Sequence, residues 1–117
     1  MKKILIFLLM ALFLLSSCSS GNNKENSQEN NQESSNTILI ENFEFSPEQL
    51  EIPINAKITW IQKDSAPHDV TSINNEFKSP ILNKDEEFSY TFTKAGDYNY
   101  YCGIHPSMKG KIIVKNV

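Results

Sequence analysis

Glu87-Phe88-Ser89-Tyr90-Thr91-Phe92-Thr93 is the stretch on which the fold turns. Phe88, Tyr90 and Phe92 share one face of an extended chain, and Ser89, Thr91 and Thr93 share the other. Alternation with a period of two, aromatic against small hydroxyl, is the pattern of an antiparallel strand with one buried and one wet face. Downstream, Ala95-Gly96-Asp97 predicts a turn. Tyr98 to Cys102 then predicts a second strand, with Tyr98, Tyr100 and Cys102 on one face. Gly110 to Lys115 predicts the last strand. Upstream, Val70 to Ile73 is short and apolar at alternate positions. Lys57 to Lys63 reads as a strand with Ile58 and Trp60 on one face, and Leu50-Glu51-Ile52 as a short extended piece ended by Pro53. Ser46-Pro47 punctuates the chain, and the β-branched and aromatic run Thr37 to Phe43 predicts the first strand.

No stretch shows sustained helical periodicity. Short strands separated by turn residues predict an all-β sandwich or barrel. The ten aromatics of this part (Phe43, Phe45, Phe77, Phe88, Phe92, the four tyrosines and Trp60) are mostly expected in its core, because a small β domain needs bulky fillers.

The chain has 117 residues, and their composition divides them unequally. Met1-Lys2-Lys3 is a short basic start, and Ile4 to Leu15 is an unbroken apolar run. That is the form of a secretory leader, and the run falls short of the roughly 20 residues a membrane span needs. Leu15-Ser16-Ser17-Cys18 resembles the bacterial lipobox. That resemblance implies a signal peptide of residues 1–17, cleavage before Cys18 and lipid attachment to its thiol. From Ser19 to Asn36 there is no apolar residue, so the segment cannot offset its ordering entropy. Residues 18–36 are therefore expected to be an anchor and soft tether spanning about 25 Å. Residues 37–117 are left as one domain, enough for one small core. The expected location is extracytoplasmic, lipid-anchored on the periplasmic side or at the cell surface of a bacterium. Formal charge is −3, with 14 acids against 11 lysines. That balance argues against a nucleic-acid partner, which calls for a basic patch or stripe.

The segment that carries chemistry is Tyr101-Cys102-Gly103-Ile104-His105-Pro106-Ser107-Met108. It offers a thiol, an imidazole and a thioether, spaced Cys-x2-His-x2-Met. These soft and borderline donors suit copper, whereas calcium and magnesium take oxygen. The segment follows one strand and precedes another, and a loop can turn three side chains toward one point. Ala66-Pro67-His68-Asp69-Val70 supplies the other histidine of the chain, also beside a proline at a strand end. Two His, one Cys and a weak axial Met form the ligand set of a blue copper centre. Structural zinc fits poorly, since thioether is rarely a zinc ligand. A Cys-His nucleophile pair leaves Met108 unexplained and shows no carboxylate or amide to orient His105.

Phe45-Ser46-Pro47, Ile58-Thr59-Trp60, Pro67-His68, Gly96-Asp97-Tyr98, Tyr100-Tyr101-Cys102, His105-Pro106 and Met108 with Gly110 resemble the cupredoxins, the blue type 1 copper proteins of the amicyanin and plastocyanin kind. The short Cys-x2-His-x2-Met loop is most similar to that of the amicyanins. The resemblance implies a Greek-key β-sandwich with one copper at one end, held by His68, Cys102, His105 and Met108. It also implies a surface-facing His105 as electron port, with Pro67, Ile104 and Pro106 as an apolar collar. Three positions depart from the pattern. Asp69 stands where many relatives have Asn, and its carboxylate would tend to lower the reduction potential. Ser107 replaces a larger apolar residue, and Asn55 replaces a frequent turn Gly, which Asn can stand in for.

The function expected is one-electron transport by a membrane-anchored copper protein, not catalysis. Protein redox partners follow, such as a respiratory complex or an oxidoreductase. The alternative is an extracytoplasmic lipoprotein that binds copper and delivers it. A carrier of that kind usually shows exposed Met or His clusters, and Ser19 to Asn36 has none.

Overall fold

The computed structural model describes residues 36–117; the leader, Cys18 and nearly all of the tether lie outside the described residues. Eight strands run in order: β1 (Thr37–Glu41), β2 (Glu44–Ser46), β3 (Gln49–Pro53), β4 (Lys57–Gln62), β5 (Thr71–Ser72), β6 (Glu87–Thr91), β7 (Gly96–Tyr101) and β8 (Lys109–Lys115). They form two four-stranded sheets, ordered β2-β1-β4-β6 and β3-β8-β7-β5. The β1–β4 and β3–β8 pairs are parallel and the other pairs antiparallel. After β2 each successive strand joins the opposite sheet until β8 pairs beside β7, so the chain stitches the two layers into a Greek-key β-sandwich. No helix occurs among the described residues.

The period of two decides which side chains lie between the layers. In β4, Ile58, Trp60 and Gln62 are buried while Lys57 is exposed. In β8, Gly110, Ile112 and Val114 alternate with more exposed neighbours. Ile38, Ile40, Ile58 and Trp60 of one sheet thus meet Ile52, Tyr100, Ile112 and Val114 of the other, with Phe45, Phe77 and Phe92 filling between. Trp60 is fully buried, with ring centroids 5.5 Å from Tyr100 and 5.7 Å from Phe77. The seam Phe88, Tyr90, Phe92 runs half-buried, half-buried, buried, as its alternation requires.

Gln62 is fully buried although polar. Its Nε2 donates to the carbonyls of Ala66 (2.8 Å) and Leu82 (3.2 Å), and its Oε1 accepts the Asp64 N–H (2.5 Å). A buried amide must find such partners. In finding them it shapes the 63–68 loop that carries His68.

Three elements depart from the sequence reading. β1 stops at Glu41, because Asn42 and Phe43 both take left-handed backbone, φ 55° and 58°, and turn the chain into β2. That hairpin was masked by the apolar run, and Phe43, expected in the core, is 50% exposed. Gly96 and Asp97 belong to β7 and pair with Val114 and Ile113, not to a turn. The long β8 offers them a ladder, and ladder pairing overrides local turn preference. The short strand expected over Val70 to Ile73 narrows to Thr71–Ser72. Asn55 takes the left-handed conformation its replacement of Gly calls for, φ 68°.

Candidate metal centre

The donors gather at one end of the sandwich. Cys102 directly follows β7 and is fully buried. Its N–H donates to the Met108 carbonyl (3.0 Å), and the Met108 N–H donates to the His105 carbonyl (2.9 Å). These two bonds fold the loop back on itself, with Met108 buried just before β8. His68 comes from the other side. It is bridged to Leu82 through two backbone bonds of 3.1 and 2.7 Å and is fully buried.

The distances define the centre. His68 Nδ1 and His105 Nδ1 lie 3.1 Å apart, and Cys102 Sγ lies 3.7 Å from the first and 4.0 Å from the second. A triangle with those edges has a circumradius of about 2.1 Å, the length of a metal–imidazole bond and slightly under that of a metal–thiolate bond. One ion could be held by all three atoms. Two imidazole nitrogens and one thiol sulfur at this spacing are donors that copper prefers. Three of the four residues expected from the sequence, His68, Cys102 and His105, are thus brought to one point, and Met108 is buried and joined to Cys102 and His105 through the backbone of the same loop.

Asp69 ties the two ligand segments together. Its N–H reaches Cys102 Sγ at 3.4 Å, and its Oδ1 accepts the Gly103 N–H and the Thr71 hydroxyl (3.3 Å). A Cβ at Gly103 would lie 2.8 Å from Asp69 Oδ2, so this close approach requires glycine. The carboxylate therefore pins the segment that carries His68 to the one that carries Cys102.

Asp64 escaped sequence reasoning. With Nδ1 facing the other donors, the His68 proton sits on Nε2, which donates to Asp64 Oδ2 at 2.8 Å. The same carboxylate accepts the N–H groups of Asn42 (2.8 Å) and Phe43 (2.9 Å). Partial burial pushes its pKa up, but the bonds from Phe43, His68 and Asn42 outweigh that and hold the carboxyl below its ordinary value. The only signal in the sequence was an acid four residues before a histidine, which is common by chance. A carboxylate behind a ligating imidazole fixes its tautomer and makes it a stronger donor. Asp64→Asn is accordingly expected to weaken Cu(II) binding about tenfold. If Cu(I) binding is unchanged, the reduction potential rises by about 60 mV, readable by cyclic voltammetry.

An all-β sandwich with a His-Cys-His triangle and a buried Met at one end defines a mononuclear type 1 copper protein. Residues 5–114 match the family model of the cupredoxin-like domain, and the chain belongs to that family. It is 32% identical over 81 residues to the amicyanin of Paracoccus denitrificans, a match covering 65% of this chain and 62% of that protein. Among solved structures it resembles a purple cupredoxin from Nitrosopumilus maritimus, with 34% identity and a TM-score of 0.63 over 68% of this chain and 98% of that one. It also resembles the copper-containing nitrite reductase of Thermus scotoductus, with 33% identity and a TM-score of 0.65, over 69% of this chain but 22% of the reductase. The chain thus spans a little under two thirds of that amicyanin and about a fifth of the reductase.

Proposed function

We propose that this protein carries single electrons between protein redox partners through one type 1 copper, and does not catalyse a reaction of its own. The observation that carries the reading is the asymmetry of the ligands. His68, Cys102 and Met108 are buried, whereas His105 is partly exposed. Bound copper would supply the Cu(I)/Cu(II) couple. Cys102 would supply the thiolate, His68 the interior imidazole held by Asp64 and Met108 a thioether, and the His105 edge would be the route to a partner. Ile104, 39% exposed beside it, supplies apolar surface for contact. The donors are crossed by backbone bonds that do not depend on metal. Such a preset frame supports fast transfer, because little must rearrange when charge changes.

The lipid anchor belongs to the same proposal. A leader of residues 1–17, lipid on Cys18 and a polar tether of residues 18–36 would keep the domain of residues 37–117 outside the cytoplasm, at a membrane where a respiratory complex or an oxidoreductase can be the partner. Copper delivery is the competing reading, and two rates separate them. Electron self-exchange is measured by line broadening in mixed Cu(I) and Cu(II) samples, and copper transfer by mixing with a metal-free acceptor. Rapid self-exchange with slow copper transfer is expected. The reverse order would establish delivery.

A further inference from the structure

Phe43 occupies a position that ordinary packing does not account for. It is a bulky residue at φ 58°, following Asn42 at φ 55°, in the two-residue connection between β1 and β2. A turn with two positive φ values is normally Asn-Gly, because a large side chain is strained there. Half of Phe43 is exposed, so core burial does not compensate the strain. Its ring lies edge-on to both ligand imidazoles, with centroids 5.2 Å from His68 and 5.1 Å from His105 at interplanar angles of 90° and 84°. Backbone strain of this kind persists where the surroundings over-determine it, and it concentrates at functional sites. Here the surroundings are Asp64, whose carboxylate holds both turn N–H groups and the His68 ring together.

The ring has a second neighbour. Phe43, Phe45, Ser107 and Met108 line a groove of about 430 Å³ on the same flank. Phe43 thus lines this groove on one side and contacts both imidazoles on the other.

We propose that Phe43 is a positioning residue for the metal site. It clamps the partly exposed His105 against the buried His68 and closes the groove side to water. Edge-to-face aromatic contacts favour one mutual orientation of the rings. His68 is already fixed by Asp64 and by its backbone bridge to Leu82. Among the described residues His105 has no carboxylate partner of that kind, and its ring contacts there are Phe43 and His68. The clamp therefore acts mainly on His105.

The inference rests on the copper reading, but the test separates the two. In the metal-free protein, Phe43→Gly relieves the turn. The melting temperature is expected to stay level or rise, while the His105 ring resonances broaden in NMR spectra as the ring samples other orientations. In the copper-loaded protein, release of Cu(I) to a chelator is expected to quicken about fivefold, with a changed Cu(II) paramagnetic spectrum. Phe43→Tyr restores both properties, whereas Phe43→Leu, which keeps the strained turn and apolar bulk but no ring, does not. Wild-type chain that takes up no copper would sink the copper reading alone. Sharp His105 resonances in metal-free Phe43→Gly, or wild-type release from Phe43→Leu, would overturn the clamp.

Discussion

Cys102→Ser is expected to abolish the intense visible absorption of the Cu(II) form outright and to cut copper affinity by at least about 100-fold. The reason is electronic as well as geometric. The colour of such a site comes from charge transfer between thiolate and copper, and serine supplies no thiolate. Of the gathered donors only Cys102 carries a charge when ligating, so its removal takes away both the strongest bond and the charge balance. The fold should survive. The serine hydroxyl is smaller than the thiol and can still accept the Asp69 N–H that now points at Sγ. Loss of about 1–2 kcal/mol from burying a hydroxyl is expected, to be checked by denaturation of the metal-free variant. Retained colour in a folded Cys102→Ser variant would show that the thiol is not a ligand.

Gly110→Ala is expected to be the most destabilising small substitution in the domain. Gly110 pairs with Tyr100 across β7 and β8. A Cβ there would fall 2.2 Å from Tyr100 Cζ and 2.3 Å from its hydroxyl, distances no packing tolerates. Tyr100 cannot swing aside. It is fully buried, edge-on to Phe45 at 4.8 Å and to Trp60 at 5.5 Å. Burial also pushes its hydroxyl pKa far above the ordinary value. The strain must instead push β7 and β8 apart, and these strands lead out to Cys102 and in from Met108. Overpacking of this severity costs about 3 kcal/mol, or roughly 15 °C in melting temperature for a domain of this size. Trimming the opposing ring should recover part of it. The double variant Gly110→Ala with Tyr100→Leu is expected to lose less than the sum of the two single losses. A shift of less than about 4 °C for Gly110→Ala would mean that the strands yield freely and that the glycine is not needed for the close approach.

Much of this was legible in the linear chain, for a physical reason. Period-two alternation reports directly on which side chains meet in a sandwich, and it placed Ile58, Trp60, Tyr100 and Phe92 correctly. The four donors were legible because His68, Cys102, His105 and Met108 are chemically scarce and sit beside prolines or strand ends, where loops can aim them. What escaped depends on contacts between distant segments. Asp64 matters only because its loop, held by Gln62, meets the β1–β2 turn and His68 together. Phe43 looked like the end of a strand, since nothing local reveals that a carboxylate 21 residues away will hold it in a left-handed turn. Gly96 and Asp97 looked like a turn for the converse reason: their ladder partners, Val114 and Ile113, lie at the far end of the chain.

The measurement that tests the central claim most directly is titration of the full metal-free chain with Cu(II), followed by visible absorption and paramagnetic resonance. One copper per chain is expected, with an intense thiolate-to-copper band in the visible and the small parallel hyperfine splitting of a covalent Cu–S bond. A weak band, a large hyperfine splitting typical of tetragonal nitrogen and oxygen ligation, or uptake that is not one to one would contradict the type 1 copper site formed by His68, Cys102, His105 and Met108.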